Sequence, residues 1–186
     1  MSEKVRSFVA VDTSEQVKSE LARLIGELKV RTQLNVKWVK PEQMHLTLVF
    51  LGEVSLDFIQ RAKIELGAVA QGFGPFDCRL KGLGGFPSTN KARVLWAGLE
   101  KGEDELKRLQ SAVAEALKRI GYVPERRPFS PHLTLGRLRE PDSIGFIQGV
   151  SFASSNWLVK ELILFKSELK PTGPVYTKIS QFPLKG

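Results

Sequence analysis

A chain of 186 residues with 42% hydrophobic and 26% charged residues has the make-up of a folded globular protein, and its length suits one large domain or two small lobes sharing a core. The longest apolar runs, such as residues 162–165, are far too short to cross a bilayer as a helix. No signal-peptide core follows Met1, and a lone Cys78 excludes an intrachain disulfide and any cysteine-cluster metal site, so the expected location is the cytoplasm. A net charge of +8, from 28 Lys and Arg against 20 Asp and Glu, suits a polyanionic partner and equally suits a solvated basic surface; charge alone leaves the partner open.

The first predicted element is a buried strand over residues 7–11. A capping box of Thr13 and Gln16 then opens a helix whose Val17, Leu21, Leu24, Ile25 and Leu28 recur at helical spacing. A short strand over 36–39 ends at Pro41, and a second over 45–51 stops at Gly52. Residues 55–69 form a helix with Ile59, Ala62, Leu66 and Val69 on one face. Strands follow at 76–80 and 93–97, separated by a loop over the Gly/Pro/Ser/Asn-rich residues 82–90. A third helix over 103–120 turns Leu106, Leu109, Val113 and Leu117 inward and stops at Gly121. Two late strands, over 158–167 and 175–182, flank a turn at 170–174. Strands paired by short connections, with helices between the pairs, describe an α+β fold with antiparallel sheets. No composition shift marks a linker, and residues 1–186 are expected to form one compact domain of two lobes.

The chain has only two histidines, and both head the same tetrapeptide: His45-Leu46-Thr47-Leu48 and His132-Leu133-Thr134-Leu135. Side chains alternate faces along a strand. Each copy therefore presents an imidazole and a hydroxyl to one side and sets two leucines into the core on the other. In a helix the His and Thr would diverge by about 200°. Two such strands facing each other would line a cleft with two imidazoles and two hydroxyls, a set suited to a phosphate ester. One neutral imidazole can take a proton from an attacking water or hydroxyl, and one imidazolium can give a proton to the departing oxygen. The hydroxyls can donate hydrogen bonds to the non-bridging oxygens. No metal is needed in this scheme. A zinc site would require added carboxylates, and neither motif carries one. No G-x-S-x-G elbow supports a serine hydrolase, no P-loop is present, and the glycines at 82–85 open no helix.

The two copies differ five residues after the histidine, where the second has Arg137 and the first has Phe50. Strict alternation would aim Arg137 away from the His132 face; a bulge at Gly136 would swing its guanidinium back, as a phosphate clamp. Arg126 and Arg127 add charge just before the second motif. Phe8, Trp38 and Phe129 are the aromatics considered for stacking on a base, and Cys78 is expected to pack as a small apolar residue.

The twin motif resembles the 2H phosphoesterase superfamily, and within it the RNA 2′,3′-cyclic phosphodiesterases, also called 2′-5′ RNA ligases. The residues that carry the likeness are Arg6-Ser-Phe-Val-Ala-Val-Asp12, Trp38, His45-Leu-Thr-Leu-Val-Phe-Leu-Gly-Glu53, Pro131-His-Leu-Thr-Leu-Gly-Arg137 and Lys170-Pro-Thr-Gly-Pro-Val-Tyr176. The resemblance implies a bilobal fold of two antiparallel sheets with flanking helices, related by a pseudo-twofold around a central cleft. It further implies opening of a terminal RNA 2′,3′-cyclic phosphate to a 2′-phosphate without a metal or other cofactor, and a possible 2′-5′ ligase activity. Carried onto this chain, His45 would be the proton donor to the leaving 3′-oxygen and His132 the proton acceptor from water. Thr47, Thr134 and Arg137 would hold the phosphate, and Phe8 would stack on the terminal base. The expected partner is RNA with a cyclic-phosphate end, tRNA fragments included, acted on by a monomer. The alternatives are a non-catalytic binder of RNA ends and a 2H enzyme acting on a small cyclic nucleotide or an ADP-ribose cyclic phosphate.

Overall fold

The structure, a computed structural model, describes residues 4–171 and 173–186; Met1 to Glu3, and Thr172 of the late turn, lie outside them. Among the described residues nine strands and three α-helices follow in the order β1 (Lys4–Asp12), α1 (Glu15–Val30), β2 (Val36–Trp38), β3 (His45–Ser55), α2 (Leu56–Gln71), β4 (Phe76–Phe86), β5 (Ala92–Lys101), α3 (Glu103–Lys118), β6 (Leu133–Asp142), β7 (Trp157–Val159), β8 (Glu161–Lys170) and β9 (Gly173–Pro183). Two antiparallel sheets result. One has the order β3-β1-β8-β9 and the other β2-β6-β5-β4-β7, so each histidine motif is carried by a different sheet. The expected α+β class with two antiparallel sheets is the observed one. Among the described residues no helix is long and apolar enough to cross a membrane.

The helices form where the apolar spacing places them. Val17, Leu21, Leu24, Ile25 and Leu28 are the buried stripe of α1. Its cap differs from expectation by one residue: Ser14 Oγ accepts from the Val17 amide at 3.2 Å, whereas Thr13 is buried at the end of β1. The reason is that the Thr13 amide is already bound by Asp12 Oδ1 at 2.9 Å, and Gln16 reaches out to Ser155 Oγ at 2.8 Å instead of back to a cap. Ser55 caps α2 in the same way, accepting from the Phe58 amide at 3.1 Å. There the buried C-terminal residue is Ala70, with Val69 only partly covered. Leu106, Leu109, Val113 and Leu117 are buried on α3 as expected.

The expected loop over residues 82–90 is the largest correction to the fold. Strand β4 continues through Gly82 to Phe86, and only the last part of that stretch is loop. Gly82 takes φ +76° where the register slips between Leu80 and Leu83, a bulge geometry that glycine adopts without strain. Gly84 has no side chain because the indole of Trp96 lies over it. These glycines mark close approach within a sheet, which in sequence looks the same as a flexible turn.

One continuous apolar core joins both sheets and all three helices, and Cys78 is buried in it, its thiol pushed up to about 12 by burial. A second, small cluster occupies the other face of the β1 sheet: Phe8, Ala10, Ile163 and Phe165, with Tyr176 against them. That sheet is therefore apolar on both faces. The small cluster is the floor on which the first histidine rests.

Candidate active site

His45 opens β3 and His132 immediately precedes β6. In both copies the leucines point inward: Leu46, Leu48, Leu133 and Leu135 are all buried, while His45, Thr47, His132 and Thr134 are partly exposed. The strand parity read from the tetrapeptide is the observed one.

Both motifs then bulge at the same place. On β3 the register jumps from Ala10↔Thr47 to Val9↔Val49, leaving Leu48 without a partner. On β6 it jumps from Trp96↔Thr134 to Leu95↔Gly136, leaving Leu135 over. An extra residue inverts the alternation beyond it. The fifth residue after each histidine is thereby returned to the histidine's own face, which places exposed Arg137 beside Thr134 and exposed Phe50 beside Thr47. Gly136 is the second residue of its bulge because β2 packs against it; a methyl built there would lie 2.6 Å from Val36 Cγ1. Gly136→Ala is accordingly expected to lower the unfolding free energy by about 1–3 kcal/mol, the usual cost of overpacking. An unchanged urea midpoint would show that β2 simply moves aside.

The two imidazoles are oriented by the same device. His45 Nδ1 lies 2.8 Å from the Gln43 carbonyl oxygen, and His132 Nδ1 lies 2.7 Å from that of Ser130. A carbonyl only accepts, so Nδ1 carries the proton in both rings and Nε2 is the nitrogen left for chemistry. Gln43 is fixed in turn, its Nε2 donating to the Pro174 carbonyl at 2.5 Å near the start of β9.

Their surroundings differ. His45 stacks on Phe8, ring centroids 4.7 Å apart, with Phe165 at 5.7 Å and the edge of Tyr176 at 5.2 Å. Burial lowers its pKa to about 4, partly offset by the Gln43 hydrogen bond and by the charge of Asp12, its cross-strand partner; Lys18 acts the other way. Asp12 is held by Lys18 Nζ at 3.1 Å and Lys178 Nζ at 3.9 Å. His132 meets the edge of Phe86 at 4.9 Å; burial lowers its pKa too, against the Ser130 hydrogen bond and aided by the positive charge of Arg137. Arg137 also bears on the Tyr176 hydroxyl, whose pKa burial raises and Arg137 and Arg6 draw back. Tyr176 belongs to the sheet that carries His45. Arg137 thus bears on His132 and on Tyr176, the residue whose ring meets His45.

One expectation is overturned. Phe8 is only 3% exposed, lying beneath His45 with Phe165 and Tyr176 around it, so no base can stack on it. Its partner across the strands, Phe50, is the exposed aromatic of that face. Trp38 and Phe129 are half-buried against the core. Arg126 and Arg127 are exposed on the loop between α3 and β6.

Lys37 is a candidate site residue that no sequence motif marks. It stands directly opposite Arg137 between β2 and β6, both are exposed, and among the described residues neither makes an ion pair. Two facing cations repel unless an anion lies between them. Gln43 and Tyr176 are further additions from the structure. The only sequence signal for Gln43 is that a proline stands four residues before each histidine, Pro41 and Pro128, with the orienting carbonyl two residues on. Among the described residues no three His, Cys, Asp or Glu side chains are grouped to hold a metal ion.

The two-sheet α+β domain presents a His-x-Thr face from each sheet, with both tautomers fixed alike and Arg137 beside the second, a candidate two-histidine site for a phosphoester. The family model described as LigT like Phosphoesterase matches residues 11–96 and 98–176. The chain belongs to the LigT-like phosphoesterase family. It is 36% identical over 188 residues to the RNA 2′,3′-cyclic phosphodiesterase of Methanothermobacter thermautotrophicus, covering 97% of this chain and 100% of that one. It is 34% identical to the protein of that name from Thermotoga maritima, over 98% of this chain and 97% of the other. Among solved structures, a Thermus thermophilus protein superposes with a TM-score of 0.83 at 32% identity, covering 97% of this chain and 98% of that one. Escherichia coli LigT complexed with 3′-AMP gives 0.80 at 25% identity, covering 99% and 100%.

Proposed function

We propose that the protein opens the terminal 2′,3′-cyclic phosphate of RNA, leaving a 2′-phosphate and a free 3′-hydroxyl. The observation that carries this reading is the pair of imidazoles, each with Nδ1 bound to a carbonyl and Nε2 free, each beside a threonine hydroxyl on the same strand face. Relatives over nearly the full length bear the name of this activity.

Water attacks phosphorus as His132 Nε2 takes its proton; the bond from phosphorus to the 3′-oxygen breaks, and His45 Nε2 protonates that oxygen. Thr47 and Thr134 donate to the non-bridging oxygens, and Arg137, with Lys37 opposite, neutralises the charge they hold. The local charges suit this direction of proton flow. Burial, the largest cause at both rings, disfavours a cation at either; beyond it, Arg137 adds to that at His132, whereas Asp12 favours a cation at His45. Burial works against protonating His45, and the bound phosphate anion supplies the charge that offsets it. With a 5′-hydroxyl in place of the attacking water, the same steps in the same direction form the bond from phosphorus to the 5′-oxygen, break that to the 3′-oxygen and leave a 2′-5′ junction, so the same groups would serve ligation.

An RNA oligomer ending in a 2′,3′-cyclic phosphate, incubated with the protein in EDTA, is expected to yield a terminal 2′-phosphate, identified by phosphorus NMR. An intact ring, a 3′-phosphate product or loss of activity in the chelator would overturn the reading.

A further inference from the structure

The bulge at Leu48 has an effect on each side of β3. It turns Phe50 onto the His45 face, where Phe8 underlies both rings, 4.7 Å from His45 and 6.1 Å from Phe50. It also leaves Phe50 as the lip of a second concavity. Strand β3 is the edge of its sheet, and between that edge and the loop leading from α3 to β6 runs a groove of about 460 Å³ lined by Phe50, Leu51, Phe58, Tyr122, Val123 and Glu125. Phe50 is 53% exposed and Val123 84%. Glu125 stands beside the Tyr122 hydroxyl and is followed at once by the exposed cations Arg126 and Arg127.

An aromatic ring, an apolar wall, a hydrogen-bond acceptor and two adjoining cations are the components that hold one nucleotide of a single strand: stacking for the base, the carboxylate for its N–H groups, guanidinium for the backbone. The groove lies outside the space between the histidines, which the terminal ribose and its cyclic phosphate must occupy. Phe50 links the two, lining the groove and packing on Phe8, the ring on which His45 also stacks. We infer that the groove is a subsite for the nucleobase preceding the cyclic end, stacked on Phe50 and closed by Tyr122 and Val123. The inference rests on the proposed RNA substrate and makes the enzyme a reader of chain length, with a dinucleotide end as its smallest good substrate.

Three substrates test it: adenosine 2′,3′-cyclic phosphate, the adenylyl dinucleotide with the same cyclic end, and that dinucleotide with its first base removed. The intact dinucleotide is expected to exceed the abasic one in kcat/KM by about tenfold or more, the worth of one stacked base. Phe50→Ala should bring that ratio close to one, and so should Val123→Asp, at a side chain exposed enough that its replacement leaves the fold alone. Equal values for intact and abasic dinucleotides in the wild type would overturn the subsite while the proposed hydrolysis stands. So would a variant that lowers all three substrates alike, since Phe50 would then act only by packing on Phe8. An advantage of the dinucleotides over the mononucleotide that survives loss of the base assigns the gain to Arg126 and Arg127 and likewise overturns it. Failure to open the ring of any of the three overturns the hydrolase reading and the subsite with it.

Discussion

Replacing either His45 or His132 by alanine is expected to lower kcat by at least about a hundredfold, the scale of losing a positioned general acid or base. The two losses should not multiply. In the proposed mechanism the acid and the base act on one phosphorus in one displacement, and once either proton transfer falls to water the other imidazole has less to assist, so the double variant should lie close to the poorer single one. His45 also fills space against Phe8, Phe165 and Tyr176, and its removal leaves that cluster short of a ring. Asparagine at position 45 is the better control for packing, and circular dichroism of both variants separates lost chemistry from lost structure. Retention of more than a tenth of the wild-type kcat by a folded variant at either position would rule out the paired mechanism.

The pH dependence should separate free enzyme from complex. Both imidazoles are depressed in the free protein, His45 to about 4 and His132 below its ordinary value, because burial disfavours the cation and Arg137 adds to that at His132. Catalysis needs one ring protonated and the other neutral. Activity on limiting substrate therefore grows as pH falls toward the higher of the two values and is lost as the second ring also takes a proton. The optimum of kcat/KM is accordingly expected on the acid side of 6.5. Once the phosphate anion is bound its charge favours imidazolium, so the optimum of kcat should lie at higher pH than that of kcat/KM. Asp12 gives the electrostatics of His45 its own test. Its carboxylate raises the pKa of His45, so Asp12→Asn should lower that pKa further and move to lower pH the limb of the kcat profile that His45 sets. A profile with neither limb moved would show that Asp12 does not set the charge of His45.

Several of these features are legible in the chain itself. The tetrapeptide needs only the two-residue period of a strand to put His and Thr on one face and leucines in the core, and the leucines are buried as that requires. Arg137 is recoverable because a glycine precedes it, and the bulge is there, with Leu135 as the unpaired residue. Phe8 departs from expectation for a reason alternation cannot supply. It shares a face with His45, as a functional aromatic would, but the β1 sheet is apolar on both faces, and only the packing of Phe165 and Tyr176 over Phe8 shows that the face is filled. The matching bulge on β3 is equally hidden, since Leu48 and Val49 carry no glycine to announce it. Tyr176 and Lys37 reach the site from strands distant in sequence, paired through registers that no local pattern encodes.

Sequence by itself determined the candidate groups and their face: two imidazoles and two hydroxyls, doubled by motif and fixed to a face by parity, beside a cation that a glycine could turn. Tertiary structure alone decided the working state of those groups. Which nitrogen is free follows from carbonyls two residues upstream, and where each ring titrates follows from what buries it and which charge lies nearest. Which aromatic remains for a base follows from what already covers the others. Composition and period specify what a side chain can do; dielectric, hydrogen-bond partners and exposure are set by neighbours that only folding brings together.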